Sequence, residues 1–305
     1  MISSLKSGFA QMWTNKRMVF IFFATNFMFG LLLMLPGRAA LSGFASQTLM
    51  GQKLAGRFSF DFLFDFIREN GTIIDVYAVL FMIVPAVYWL FGLFLSGGAF
   101  AMFKSGEKFS AGDFWWNCGK YFGRFARLLL LSLPVFGVLL LLQFVWVGLE
   151  RLFWGSDPYQ YITYWGAWVK FGLRTISILL FGLVLDYSRI YTVIADEKRM
   201  RISLWRGIRC AFTNLGQTFG LALTLFLAGV VVLAFYNPIA DSLSAPNGFV
   251  IFTLFLAQQL YMFWRMMLRL TLYSSQMHLY QRITDGVTLS TAERSDDVDL
   301  EGTPA

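Results

Sequence analysis

Six apolar runs divide the chain, at about 18–35, 76–95, 128–147, 169–189, 215–236 and 249–269. Most approach the roughly 20 residues that a helix rising 1.5 Å per residue needs to cross about 30 Å of hydrocarbon. None alternates with period two, so a β-barrel does not fit, and only helices or closed barrels satisfy the backbone inside lipid. The pattern predicts an all-α, polytopic bundle of six transmembrane helices over residues 1–282. Beyond it lies a polar, acidic tail at 283–305, with Asp296, Asp297, Asp299 and Glu301, whose composition predicts disorder.

The segments entering the first and fifth runs align without a gap. Ser4-Leu5-Lys6-Ser7-Gly8-Phe9 matches Ser203-Leu204-Trp205-Arg206-Gly207-Ile208, and Trp13-Thr14-Asn15 matches Phe212-Thr213-Asn214. The segment entering the third run fits more loosely, with Asp113 as cap, Phe114, Cys118, Tyr121 and Phe122 apolar, and Arg124 in place of the asparagine. Similarity at fixed offset marks a duplicated unit. The expected unit, present three times, is a cytoplasmic interfacial helix (about 4–14, 112–123 and 203–213) followed by a helical hairpin. In each helix apolar residues recur at helical spacing and basic residues take another face, as in a helix lying in the membrane surface. A corner at Thr-Asn or Gly-Arg then turns the chain into the membrane.

Charge orients the bundle. Eighteen of the 25 Lys and Arg flank the side holding both termini and seven lie on the other, so the termini are expected in the cytoplasm of a cell whose inner membrane the chain spans. Lys16-Arg17 before an apolar run resembles a signal peptide, but the run exceeds an ordinary h-region and Pro36-Gly37-Arg38 suits cleavage poorly, so this span is read as retained. The outer loop at 36–75 contains an amphipathic helix expected over 60–70, with Asp61, Asp65 and Glu69 on one stripe. Trp146, Trp154, Tyr159, Tyr161, Tyr164, Trp165 and Trp168 suit the outer headgroup level.

With 57% hydrophobic and 14% charged residues, charges within the spans are rare and therefore informative. Asp186 and Arg265 stand at similar depth and are expected partners. Arg189 and Arg269 share their faces, extend the pair to a candidate intramembrane network, and are the alternative partners for Asp186. Lys6, Lys16, Arg17, Lys120, Arg124, Arg127, Arg206 and Arg209 are candidate contacts to lipid headgroups, anionic ones above all. Asn26, Gln143, Gln258 and Gln259 are expected in interhelical hydrogen bonds, Arg174 is expected to reach outward, and Pro85 and Pro134 to kink their spans. One histidine and two cysteines, both on the cytoplasmic side, suggest neither a metal site nor a disulfide. No phosphate loop or nucleophile elbow occurs, and Gly97-Gly98 alone is too short a signal to interpret.

The layout, the repeated elbow helices and the run Asp186-Tyr187-Ser188-Arg189-Ile190 leading to Asp196 resemble uncharacterised bacterial six-helix membrane proteins similar to the membrane domain of glycerophosphodiester phosphodiesterases. That family's active site lies on a separate soluble barrel, so the resemblance implies fold and location rather than phosphodiesterase activity. No catalytic residues, cofactor, metal or nucleic-acid partner are expected. The expected role is a non-enzymatic membrane protein that organises lipid or a membrane-protein partner. A transporter or channel for a small solute or lipid is the alternative, and a lipid-directed enzyme ranks third.

Overall fold

A computed structural model describes residues 2–47, 60–155, 159–242 and 248–301. Every element among them is helical: α1 (Ile2–Thr14), α2 (Lys16–Gln47), α3 (Phe60–Glu69), α4 (Gly71–Ser105), α5 (Ala111–Leu140), α6 (Leu142–Trp154), α7 (Gln160–Ile194), α8 (Met200–Thr213), α9 (Leu215–Ser242) and α10 (Gly248–Glu301). Six segments are long and apolar enough to cross a membrane: Lys16–Phe44, Gly71–Ser105, Ala111–Trp154, Gln160–Ile194, Leu215–Pro238 and Gly248–Thr284. Their exposed side chains include Leu31 and Leu35, Phe81 and Met82, Val230 and Val231, Phe252 and Phe255. Water would penalise that much apolar surface; lipid does not.

The helices extend beyond the apolar runs. α2 continues past Pro36 to Gln47, and the amphipathic helix expected over 60–70 is α3, where Asp65 lies 3.6 Å from Arg68; the side chain at position 61 lies outside the described residues. The acidic tail falls on the last turns of α10, and its side chains from 285 onward also lie outside them.

The chain forms two compact units. The one holding 15–95 and 227–269 is knitted by aromatic contacts. Phe263 packs on Phe20 and Phe23, with centroids at 5.2 and 5.8 Å, Phe29 meets Tyr88 at 5.5 Å, and Tyr236 stacks on Tyr261 at 6.3 Å. The Tyr77 hydroxyl donates to the Leu33 carbonyl at 2.9 Å beside Gly37, where a Cβ would strike that hydroxyl. Asn26 donates to the Met262 sulfur at 3.5 Å.

The other unit, 1–14, 96–226 and 270–305, collects the elbow segments and the ends of α4, α7 and α10. α1 stops at Asn15 and α8 at Asn214, at the two expected corners. At the second, the Thr218 hydroxyl donates to the Ala211 carbonyl at 3.0 Å and satisfies a backbone group left over where α8 ends. The corner expected at Gly123-Arg124 carries no break: α5 runs unbroken to Leu140. Asparagine bonds its local backbone and leaves a helix readily, whereas arginine is a good helix former.

Each elbow segment lies against the end of a returning span with almost nothing between the backbones. A Cβ on Gly8 of α1 would fall 2.7 Å from the backbone of Ser275 in α10, and one on Gly207 of α8 would fall 2.7 Å from the backbone of Ser188 in α7. Between α5 and α4 the small residue sits on the span instead, where a Cβ on Gly98 would fall 2.7 Å from the Phe114 carbonyl. Small residues let helices approach closely enough for dispersion and backbone contacts to hold them where hydrophobic driving force is weak. The buried stripe is therefore Ser4, Gly8 and Met12 on α1 and Ser203, Gly207 and Ala211 on α8. Of the expected apolar faces, Met12, Leu204 and Ala211 are buried, while Phe9, Trp13 and Phe212 are about half exposed.

Replacing Gly8 or Gly207 by alanine should destabilise the protein by about 1–3 kcal/mol through overpacking against rigid backbone. Gly119→Ala, with nothing within 4 Å of its Cβ, should be neutral or stabilising by up to about 1 kcal/mol. Equal unfolding midpoints in detergent for all three variants would exclude the close-approach account.

Candidate functional site

α7 ends at Ile194 in a Schellman turn, the Glu197 amide donating back to the Thr192 carbonyl at 3.2 Å. The turn places Asp196 at φ 47°, a left-handed conformation that no other non-glycine among the described residues adopts. Such a backbone costs about 1–2 kcal/mol for an L residue, though aspartate tolerates it better than most. Glycine would avoid the cost but bring no carboxylate. That carboxylate is 2.7 Å from the Arg124 guanidinium and 3.2 Å from the Lys120 amine, and accepts the Tyr121 hydroxyl at 3.3 Å. Arg124 also donates to the Asp196 carbonyl at 3.2 Å, and Lys104 donates to the Val193 and Ile194 carbonyls at 2.9 and 3.2 Å, capping α7. Glu197 accepts the amides of Lys198 and Arg199, leading into α8. The turn is thus clamped to α5 and α4 by three cations.

The Arg124 guanidinium, with Lys120 beside it, holds the Asp196 carboxyl below the usual carboxylate range. A group whose pKa is depressed by folding adds stability that is complete above its unfolded value and lost as pH falls through the folded one. Asp196 is therefore an ionised anchor, unsuited to donating a proton.

Asp186 pairs with Arg189, one turn along α7, at 3.2 Å, with side chains only 13% and 8% exposed. The Arg189 guanidinium also sits over the Phe125 ring at 5.8 Å. Arg265 and Arg269 belong to the other unit, where Arg265 is exposed and Arg269 lies over the Phe22 ring at 5.9 Å. The same unit also buries polar side chains that hydropathy does not single out. Gln11 donates to the Phe103 carbonyl and accepts from the Ser274 hydroxyl at 2.6 Å. Gln276 is 1% exposed with both amide atoms unpartnered, as are the Tyr187 hydroxyl and the Arg189 Nε. Arg174 is exposed and donates to Gln143 of α6 at 3.1 and 3.2 Å, an interhelical bond of the kind expected for that glutamine, and Lys170 pairs with buried Glu150 at 3.1 Å.

Of the candidate headgroup contacts, Lys120 and Arg124 are held by Asp196, while Lys6, Lys16, Arg17, Arg127, Arg206 and Arg209 are exposed. Arg206 and Arg209 line a cleft of about 400 Å³ between α8 and α10, with Cys210, Thr213, Asn214, Tyr280, Ile283 and Thr284. Burial pushes the Cys210 thiol up to about 11, so it is neutral at physiological pH. Among the described residues no three His, Cys, Asp or Glu side chains gather as metal ligands.

Asp196→Ala should cost about 0.5–2 kcal/mol, losing two solvent-screened pairs while keeping the backbone penalty, whereas Asp196→Gly should be close to neutral. Asp196→Asn should remove the loss of stability that the parent shows below about pH 4, near the unfolded carboxylate value. Unfolding titrations at stepped pH would read this, and an unchanged acid limb in Asp196→Asn would count against the anchor. For the buried pair, a double-mutant cycle of Asp186→Asn with Arg189→Leu should show a coupling of about 0.5–3 kcal/mol. Additivity there would count against the pair, and the same cycle run with Arg265 or Arg269 tests the partnerships expected from depth and face.

No family model, curated protein or solved structure matches the chain.

Proposed function

We propose that this is a non-enzymatic inner-membrane protein, built of three repeats and with both termini in the cytoplasm, that organises anionic lipid or a membrane-protein partner through a basic collar. The carrying observation is the composition of the elbow surfaces. α1 exposes Phe9 and Trp13 beside Lys6, and α8 exposes Trp205 and Phe212 beside Arg206 and Arg209. The start of α5 exposes Trp115 and Trp116. Exposed aromatics next to exposed cations suit the boundary where acyl chains meet phosphates. The repeat reading draws on the cyclic order of the close contacts: α5 on α4, α8 on α7 and α1 on α10, each elbow meeting the returning span of the preceding unit. The likeness to the membrane domain of glycerophosphodiester phosphodiesterases is carried as a proposal about fold alone. The charge bias supports the orientation.

A second reading, transport of a small solute or lipid, has a specific observation of its own. Tyr187, Arg189 and Gln276 bury polar atoms without protein partners, each at a cost of about 1–3 kcal/mol. Such groups are what a passing polar solute would engage.

Purified protein in liposomes should show no flux of ions or small solutes above protein-free vesicles while enriching phosphatidylglycerol over phosphatidylcholine around itself. In cells, cysteines at Ser46 and Ser242 should label from outside and one at Ser290 should not. Saturable flux abolished by Gln276→Leu would replace the proposal with the transport reading, and outside labelling at Ser290 would invert the topology.

A further inference from the structure

Resting on that collar reading, the geometry points to the cleft between α8 and α10 as a discrete site for the phosphate of one anionic phospholipid, held by Arg206 and Arg209. α8 divides into three sectors around its axis. Ser203, Leu204, Gly207 and Ala211 are buried; Trp205 and Phe212 are exposed at 67% and 45%; and Arg206, Arg209 and Thr213 occupy the third sector, at the cleft. Residues three apart on a helix bring their Cβ atoms within about 5–6 Å, so both guanidinium groups can reach one phosphate. No acidic side chain among the described residues pairs with either arginine. This differs from Lys120 and Arg124, which share the Asp196 carboxylate.

The rest of the lining fits a phosphoester. Thr213 and Asn214 offer hydroxyl and amide groups for the ester and alcohol oxygens, beside Tyr280 and Thr284, which hydrogen-bond to one another, while Ile283 provides an apolar wall. A volume of about 400 Å³ lies at the small end of ligand pockets and suits a headgroup rather than a whole lipid. The acyl chains have a place to go, because Trp205 and Phe212 continue from the cationic sector as exposed apolar surface. That continuity selects a lipid over a soluble phosphate.

The site is particular to one elbow. In the alignment of the three elbow segments, positions 206 and 209 correspond to Ser7 and Ala10 on α1 and to Trp116 and Gly119 on α5. Bound lipid should therefore number one per chain, not three.

The test is native mass spectrometry of the full chain in mixed micelles of phosphatidylglycerol and phosphatidylcholine. The parent should retain one phosphatidylglycerol in at least tenfold preference. The double variant Arg206→Gln/Arg209→Gln should lower that retention about tenfold, and Arg206→Lys/Arg209→Lys should recover part of it. Lys198→Gln/Arg201→Gln removes the same charge from outside the cleft and should change retention less than twofold. Equal loss in the two glutamine doubles would reduce the site to diffuse attraction, overturning the cleft while leaving the collar reading intact. Loss of phosphatidylglycerol enrichment in the parent itself would defeat both. Displacement of the lipid by millimolar glycerol phosphate would assign the site to a soluble phosphoester and overturn the lipid proposal. Thermal unfolding of each variant in the same detergent separates loss of binding from loss of fold, and Tyr280→Leu, which leaves both arginines in place, should weaken retention less than the arginine double.

Discussion

Backbone-to-backbone approach is the constraint on which the elbow-containing unit depends. Lipid offers little incentive for two apolar helices to associate, because hydrocarbon tails are as apolar as leucine. What can hold them is contact too close for side chains to intervene. Gly8 against Ser275, Gly207 against Ser188 and Gly98 against Phe114 supply it three times. With the elbows fixed this way, the aromatic and basic faces of α1 and α8 are left outward, the observation on which the proposed lipid contact rests.

The charges follow the same logic. Every ion taken from water must find a partner or remain within reach of an interface. Asp196 accepts a left-handed backbone so that one carboxylate can hold Arg124 and Lys120 and tie the α7–α8 turn to α5. Asp186 and Arg189 solve the problem within one helix turn. Arg206 and Arg209 solve it neither way, and they face a cleft. Two cations without a carboxylate partner among the described residues, lining one cleft beside apolar surface, are what the lipid-site proposal rests on.

The candidate residues separate by what surrounds them, not by type. Eight basic residues could equally have met headgroups by sequence, yet two are engaged by the Asp196 carboxylate. The buried amide of Gln276 and the hydroxyl of Tyr187 have no protein partner, while Gln11 and Ser274 in the same unit satisfy one another. These positions lie in continuous apolar or mixed stretches, where hydropathy averages conceal a single glutamine or tyrosine.

The sequence by itself determined the spanning elements, because the length and apolarity of a membrane crossing are local properties dictated by bilayer thickness. It also determined the two asparagine corners, since Asn15 and Asn214 leave the helix through their own backbone chemistry, and the amphipathic α3. The small-residue spacings Ser4-Gly8 and Ser203-Gly207 were legible too, but as a stripe whose partner is unnamed, and Gly97-Gly98 meant nothing until Phe114 lay against it. Only the tertiary structure decided which face of each elbow is buried, which arginines Asp196 consumes, that Asp186 turns to Arg189, and that Arg206 and Arg209 share a cleft with Tyr280, some 70 residues further along the chain. The physical reason is that partnership between distant segments depends on the approach of backbones across the fold, and helical periodicity specifies a face without specifying what will meet it.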